Sequence, residues 1–320
     1  MDALGGRAGR REEERDGWRL TDLELLPGGQ HGSAVAVNDD GTVIGRSDTE
    51  DGGISHAVLW QDGRITDLGT LGGWDSTPCG LNRHGVVVGW SETRPGRMGE
   101  RRPFIWRDGR MVDLSTLGVP QGFVPTAIND DGWVVGFSDT EPARVTHAFV
   151  WKAGEATDLG TLVRGVYQRS HAYDVDNEGR IVGEASVDGM NTVPVIWENG
   201  QIRRLSDLEG RAAAINSRGE VMGHTSNSPF VWSPDELTVI GFIKGAMSVM
   251  AHGIDREGRV LGTADNQSFL WHRGQFEWLP NPTLGHATAS AISDDGRFVV
   301  GSQASTPDLQ TSRPMVWTRL

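Results

Sequence analysis

The chain is nearly devoid of cysteine, lysine and tyrosine, and each shortage excludes something. Of 320 residues one is Cys and two are Tyr. A lone thiol, Cys79, cannot build a disulfide framework, so stability must come from a packed core, and a reducing compartment is expected. Lysine stands only at Lys152 and Lys244, and the 30 Lys and Arg are outnumbered by 43 Asp and Glu, for a net charge of −13. Phosphate recognition needs clustered cations, so no nucleic-acid partner is expected. No apolar run approaches the ~20 residues of a membrane span. The charged start has no apolar stretch behind it and does not read as a secretion signal, which makes a cytoplasmic location the expectation. There is no zinc motif, no phosphate-binding Gly loop and no Gly-x-Ser-x-Gly elbow, so no cofactor is expected.

What the chain does have is repetition. An apolar triplet closing on Gly recurs at Gly45, Gly89, Gly136, Gly183, Gly223, Gly262 and Gly301. An apolar pair closing on Trp follows each time, at Trp60, Trp106, Trp151, Trp197, Trp232, Trp271 and Trp317. The intervals run from 35 residues (Trp197 to Trp232) to 47 (Gly89 to Gly136), and each holds four short strand-like runs separated by Gly, Asn and Asp turns. That is the pattern of an all-β, seven-bladed β-propeller with four-stranded antiparallel blades. The repeats are out of phase with the chain ends. After Trp317 no fourth strand remains, whereas Trp18 to Gly29 (WRLTDLELLPGG) matches the fourth strand and crossover Arg64 to Gly73 (RITDLGTLGG). The N-terminal segment is therefore expected to complete the last blade and close the ring, removing exposed sheet edges. Residues 1–17, rich in Gly, Arg and Glu without apolar periodicity, read as a disordered tail ahead of a single propeller domain, 18–320.

The tripeptides His147-Ala148-Phe149 and His56-Ala57-Val58, with the runs Asp67 to Gly73 (DLGTLGG) and Asp158 to Leu162 (DLGTL), resemble the HAF repeat family. The likeness spans residues 18–320 and is densest in the first four units. It implies a propeller-type repeat protein of a family described as extracellular, and it brings no catalytic motif with it.

Function must then be sought where one blade departs from its siblings. Two residues before each first turn stand Ala36, Gly80, Ala127, Ala214, Gly253 and Ala291, whereas blade four has Asp174 there, a carboxylate that needs a partner, a raised pKa or water. If the residues flanking each first turn pair, as Asp176 with Gly179, then His171 faces Glu184 and Arg211 faces His224. The sibling pairs are Ser33 with Arg46, Thr77 with Trp90, Val124 with Phe137, and Met250 with Thr263, so blades four and five are alone among these in opposing two ionisable groups. Tyr167, Arg169 and Tyr173 lie close by in blade four.

These residues are expected at the end of the ring where crossovers and second-to-third loops emerge, the default place for a pocket. His171 beside Glu184 has the form of an oriented general base, and Arg211 with His224 suits an anionic group. Ordinary cross-strand ion pairing accounts for the same residues, and both readings stay open. Trp74, Trp90 and Phe123 are expected to form an apolar wall across the mouth. His31, Asp75 and His286, each seven residues before a turn in neighbouring blades, are the one set with metal-ligand chemistry, with surface loops as the alternative. Two functions follow: a small-molecule-binding, cofactor-free acid–base enzyme of specialised metabolism (isomerase, cyclase, lyase or hydrolase), or a non-catalytic scaffold for a protein partner.

Overall fold

The computed structural model describes residues 11–51, 53–96, 100–140, 145–163, 168–188, 191–241, 243–283, 286–304 and 312–320. Seven antiparallel sheets form a β-propeller ring. Blade four shows the plan: Ser170–Val175 is innermost, followed outward by Ile181–Ser186, Thr192–Glu198 and Gln201–Arg204. The seventh blade takes its first three strands from His286–Ile292, Phe298–Ala304 and Ser312–Arg319, and its fourth is Trp18–Asp22, paired from Trp18↔Arg319 to Asp22↔Met315. Ring closure by the N-terminal strand is thus as the repeat phase predicts.

The expected tail is shorter than its composition implied. Glu12–Arg15 adds a fifth strand to the seventh blade, hairpinned onto Trp18–Asp22 through Asp16 and Gly17, both at positive φ (51° and 79°). Two positive-φ residues make the tight turn that matches strand twist. The same device joins third to fourth strands at Asp62-Gly63, Asp108-Gly109 and Asn199-Gly200. The charges that suggested solvation are used as fasteners: Glu13 accepts from the Thr283 amide and hydroxyl at 3.0 and 2.7 Å, and Arg15 donates to the Asn281 carbonyl at 3.2 Å.

Blade-to-blade seams repeat like the sequence. The third-strand Trp donates its indole N–H to a carbonyl in the preceding blade's fourth strand or crossover, as Trp60 to Glu24, Trp151 to Leu117, Trp197 to Leu159 and Trp317 to Pro280 (2.7–3.0 Å). On the opposite face, the first turns of blades one to six hold a buried Asn or Asp whose Oδ1 caps its own turn while Nδ2, in Asn, reaches the next blade: Asn38 to Asn82, Asn82 to Asn129, Asn129 to Asp176 and Asn216 to Asp255; blade seven has Ser293 there, whose hydroxyl accepts from Phe298 N. Where the residue is Asp it cannot donate, and an Arg four residues on binds it instead, Arg180 on Asp176 and Arg259 on Asp255. The repeated His-Ala tripeptides have the same character. His147 Nδ1 sits 2.8 Å from Asp158, whose other oxygen accepts from Gly160 N, and His56 with Asp67 repeats it at 3.0 Å; in blade two Arg102 and Asp113 take the same places.

Candidate functional site

The register places every predicted pair opposite its partner, His171↔Glu184 and Arg211↔His224 among them. The assumption behind the arithmetic needs correcting. The turn is one residue longer than assumed, with Asp176 N bonded to Arg180 O at 3.1 Å. A one-residue bulge in the first strand, between Ala172 and Asp174, adds a residue on the other side, so the two offsets cancel beyond it. The bulge recurs in all seven blades and falls on Val35, Cys79, Thr126, Tyr173, Ala213, His252 and Ser290.

That bulge residue decides what each seam contains. In blades two, three and seven its small donor spans to a carbonyl of the next blade: Cys79 Sγ to Pro125, Thr126 Oγ1 to Ala172, and Ser290 Oγ to Ala34, at 3.2, 3.0 and 2.7 Å. Burial pushes the Cys79 thiol up to about 12, so it acts here as a donor rather than a nucleophile. Blade five has Ala213 at the bulge, and the equivalent carbonyl, Ala251 O, receives His224 Nε2 at 3.0 Å. His224 therefore seals a seam. Burial, then the charge of Arg211, lowers its pKa, which keeps it neutral.

Blade four is built differently. The bulge swings Tyr173 to the side of His171, and both converge on Glu184: His171 Nδ1 lies 3.1 Å and Tyr173 Oη 3.0 Å from Oε1, while Thr192 Oγ1 donates to Oε2 at 3.2 Å. Burial pulls the Glu184 carboxyl upward, but the bonds from His171, Tyr173 and Thr192 outweigh it and hold the group below its ordinary value. Tyr173 is raised, by burial first and by Glu184 second, so it stays a donor. With Nδ1 directed at the carboxylate, the neutral imidazole carries its proton there and its lone pair on Nε2. Phe137 of blade three fixes the ring from the side, edge-on at 4.6 Å and 86°. Arg211 lies over the Tyr173 ring at 5.6 Å. It is exposed and hydrogen-bonds the Tyr173 side chain, and among the described residues no ion pair includes it.

Sequence reasoning missed Thr192 and His252. The latter bonds Thr263 at 2.9 Å and has its pKa lowered by burial and then by His224, extending the polar belt into blade six. Aligning bulge positions would have found it, since only Tyr173 and His252 are rings there.

Other expected members lie elsewhere. Tyr167 falls outside the described residues. Arg169 is exposed and its backbone pairs with Ser186. Trp90 and Phe123 line a separate cleft between blades two and three, with Phe123 only 3% exposed in that seam's core, and Trp74 is not among the cleft's lining residues. The shared apolar wall is therefore not formed, because the seam between blades two and three holds Phe123 in its packing. The candidate metal set has no support either: Asp75 accepts the Ser55 amide at 2.9 Å and faces Arg46 at 3.7 Å, and among the described residues no three His, Cys, Asp or Glu are grouped to hold an ion.

Asp174 is an inter-blade staple. Its two oxygens accept the amides of Val175 and of Ile215 in blade five, each at 2.9 Å. Burial, opposed by those two amides, raises its pKa to about 7. The unfolded carboxyl titrates near 3.9, so between about pH 4 and 7 the folded chain holds a proton that the unfolded chain has released. The contribution of this group to stability is full below that window and is lost as the pH rises through it. Asp174→Ala, which copies Ala36, Ala127, Ala214 and Ala291, is expected to remove this decline, so its stability relative to the parent improves from pH 5 to pH 8 in urea unfolding. A difference that stays flat with pH would contradict the raised pKa.

No family model and no curated protein matches this sequence. Solved structures match by fold. A prolyl endopeptidase is similar at a TM-score of 0.59 and 12% identity over 86% of this chain, which spans 46% of that protein's length. Ycf48 bound to a D1 peptide matches at 0.52 and 12%, covering 98% of each chain, and the Cps50 (Swd1) propeller domain of Myceliophteria thermophila at 0.55 and 11%, covering 93% of this chain and 99% of that one. At such identities the likeness is one of propeller architecture.

Proposed function

We propose that the protein binds a small organic anion at the crossover mouth of blades four and five, where Arg211 takes the anionic group and His171 serves as the acid–base residue of a cofactor-free site. One observation carries this reading: two further side chains, Tyr173 and Thr192, secure the Glu184 carboxylate that orients His171, and among the described residues no sibling blade repeats the arrangement. An ordinary surface ion pair has no such support, and its two partners neutralise each other. Here the nearby guanidinium is left over. In a chain of net charge −13 a cation without a carboxylate partner among the described residues favours an anionic ligand there.

Crystals soaked with short mono- and dicarboxylates and phosphate monoesters, with calorimetric titration alongside, test the proposal. Ligand density is expected between Arg211 and His171 Nε2. Arg211→Gln should weaken binding by roughly 10- to 100-fold, the worth of a charge-assisted hydrogen bond, with little change in Tm because the side chain is exposed. Equal binding by parent and variant overturns the proposal. A second reading, recognition of a protein partner over the same face, is favoured by the apolar side chains exposed in the crossovers, with Met247 96% and Leu208 46% accessible. Pull-down of a protein that Met247→Ser loses and Arg211→Gln retains would favour it.

A further inference from the structure

A cleft of about 520 Å³ opens between blades two and three, a size that suits a small ligand. Trp90, Pro103, Phe123, Val124 and Pro125 give it an apolar side, and Arg101 lines it together with the polar Glu100, Arg102, Ser115 and Gln121. None of the residues assigned above to the mouth site lines it.

The charges around this cleft are unevenly paired. Arg102 is consumed, donating to Glu100 at 3.1 Å and to Asp113 at 3.0 Å. Arg101 is opposite Glu92 in the ladder, but the Glu92 carboxylate turns towards the Trp74 amide, 3.4 Å away. The Arg101 guanidinium instead lies over the Trp90 ring, its Cζ 4.0 Å from the centroid. A cation–π contact of this kind holds the guanidinium over the ring without using its N–H donors, which can take a carboxylate through two parallel bonds. A cleft with an apolar side and one cation that, among the described residues, has no carboxylate partner is complementary to a flat hydrophobic body that carries a single carboxylate.

We infer that the cleft between blades two and three is a second binding site, independent of the mouth site, for a planar organic acid of the aryl carboxylate class. The ring enters against Val124, Pro125 and Phe123, and the carboxylate meets Arg101. No covalent step is involved.

The probes are 2-naphthoate and its neutral amide, 2-naphthamide, followed on the full chain by saturation-transfer NMR and titration. The acid is expected to bind at least ten-fold more tightly than the amide. Arg101→Gln, an exposed position, should bring the acid down to the level of the amide, and Val124→Phe, which fills the slot from its exposed side, should weaken both. Arg211→Gln should leave all of these values unchanged. Equal affinity for acid and amide, or binding of the acid that Arg101→Gln does not alter, overturns the assignment. Loss of naphthoate binding in Arg211→Gln overturns it as well, because the ligand would then sit at the mouth.

Discussion

Deleting residues 18–26 is expected to abolish cooperative unfolding and leave an aggregating chain. Trp18 and Leu20 are 1% and 3% exposed, packed with Leu279, Met315 and Trp317 at the joint between blades six and seven. The deletion also strips the five-residue ladder to Ser312–Arg319, the Trp18 bond to Glu277 at 3.1 Å, and the Glu24 carbonyl that receives the Trp60 indole at 2.7 Å. Truncating a buried Leu or Trp costs about 2–5 kcal/mol each, so losing both, with the ladder, matches the whole 5–15 kcal/mol of a typical fold. Circular dichroism melts and size-exclusion chromatography measure the outcome, and a monomer with unchanged melting behaviour would contradict closure of the ring by this strand. Deleting residues 11–17 instead removes the outer strand alone. That variant should stay folded with a modestly lower Tm.

Gly183→Ala is expected to be the most damaging single methyl group in the candidate site. A Cβ there would lie 1.9 Å from the His171 carbonyl oxygen and 2.9 Å from its carbon, both backbone atoms that cannot swing aside. The sibling glycines meet the same obstacle, Gly45 at Ser33 O (1.9 Å) and Gly136 at Val124 O (2.0 Å). The repeated Gly of the apolar triplet is thus explained by close approach to the bulged inner strand rather than by backbone conformation. We expect a loss of about 3 kcal/mol or more, at the upper end of overpacking costs. Gly109→Ala is the control: its φ is +75° with nothing within 4 Å of the added methyl, and backbone strain alone should cost about 1 kcal/mol. Chemical denaturation gives both values. Equal losses would show that crowding is not the cause.

Gly183→Ala also bears on function, because the displaced carbonyl belongs to His171. Gly45→Ala creates the same clash in blade one, away from the candidate site. If the mouth of blade four binds an anion, Gly183→Ala should lose binding in its folded fraction while Gly45→Ala keeps it.

The site was only partly legible in the sequence. His171 and Glu184 were found because cross-strand pairing depends on residue counts alone, and Tyr173 because tyrosine is so scarce. The bulge was invisible, since it leaves no composition signal and its offset cancels that of the turn. Without it nothing could show that Tyr173 turns onto Glu184, or that His224 fills the seam position left empty by Ala213. Thr192 was missed because it lies on the third strand and reaches Glu184 only through side-chain packing.

By itself the sequence determined the number of blades, their strand order, the ring closure and which residues oppose one another, because periodicity and local turn chemistry are written along the chain. The tertiary structure decided which polar groups are spent on seams and which remain for a ligand. His224 and Asp174 are held by backbone groups of blades six and five, Trp90 and Phe123 belong to a cleft of their own, and Arg211 has no ion-pair partner among the described residues. Those outcomes depend on contacts between neighbouring blades, where partners 27 and 41 residues apart, as His224 with Ala251 and Asp174 with Ile215, meet at distances that no local pattern encodes.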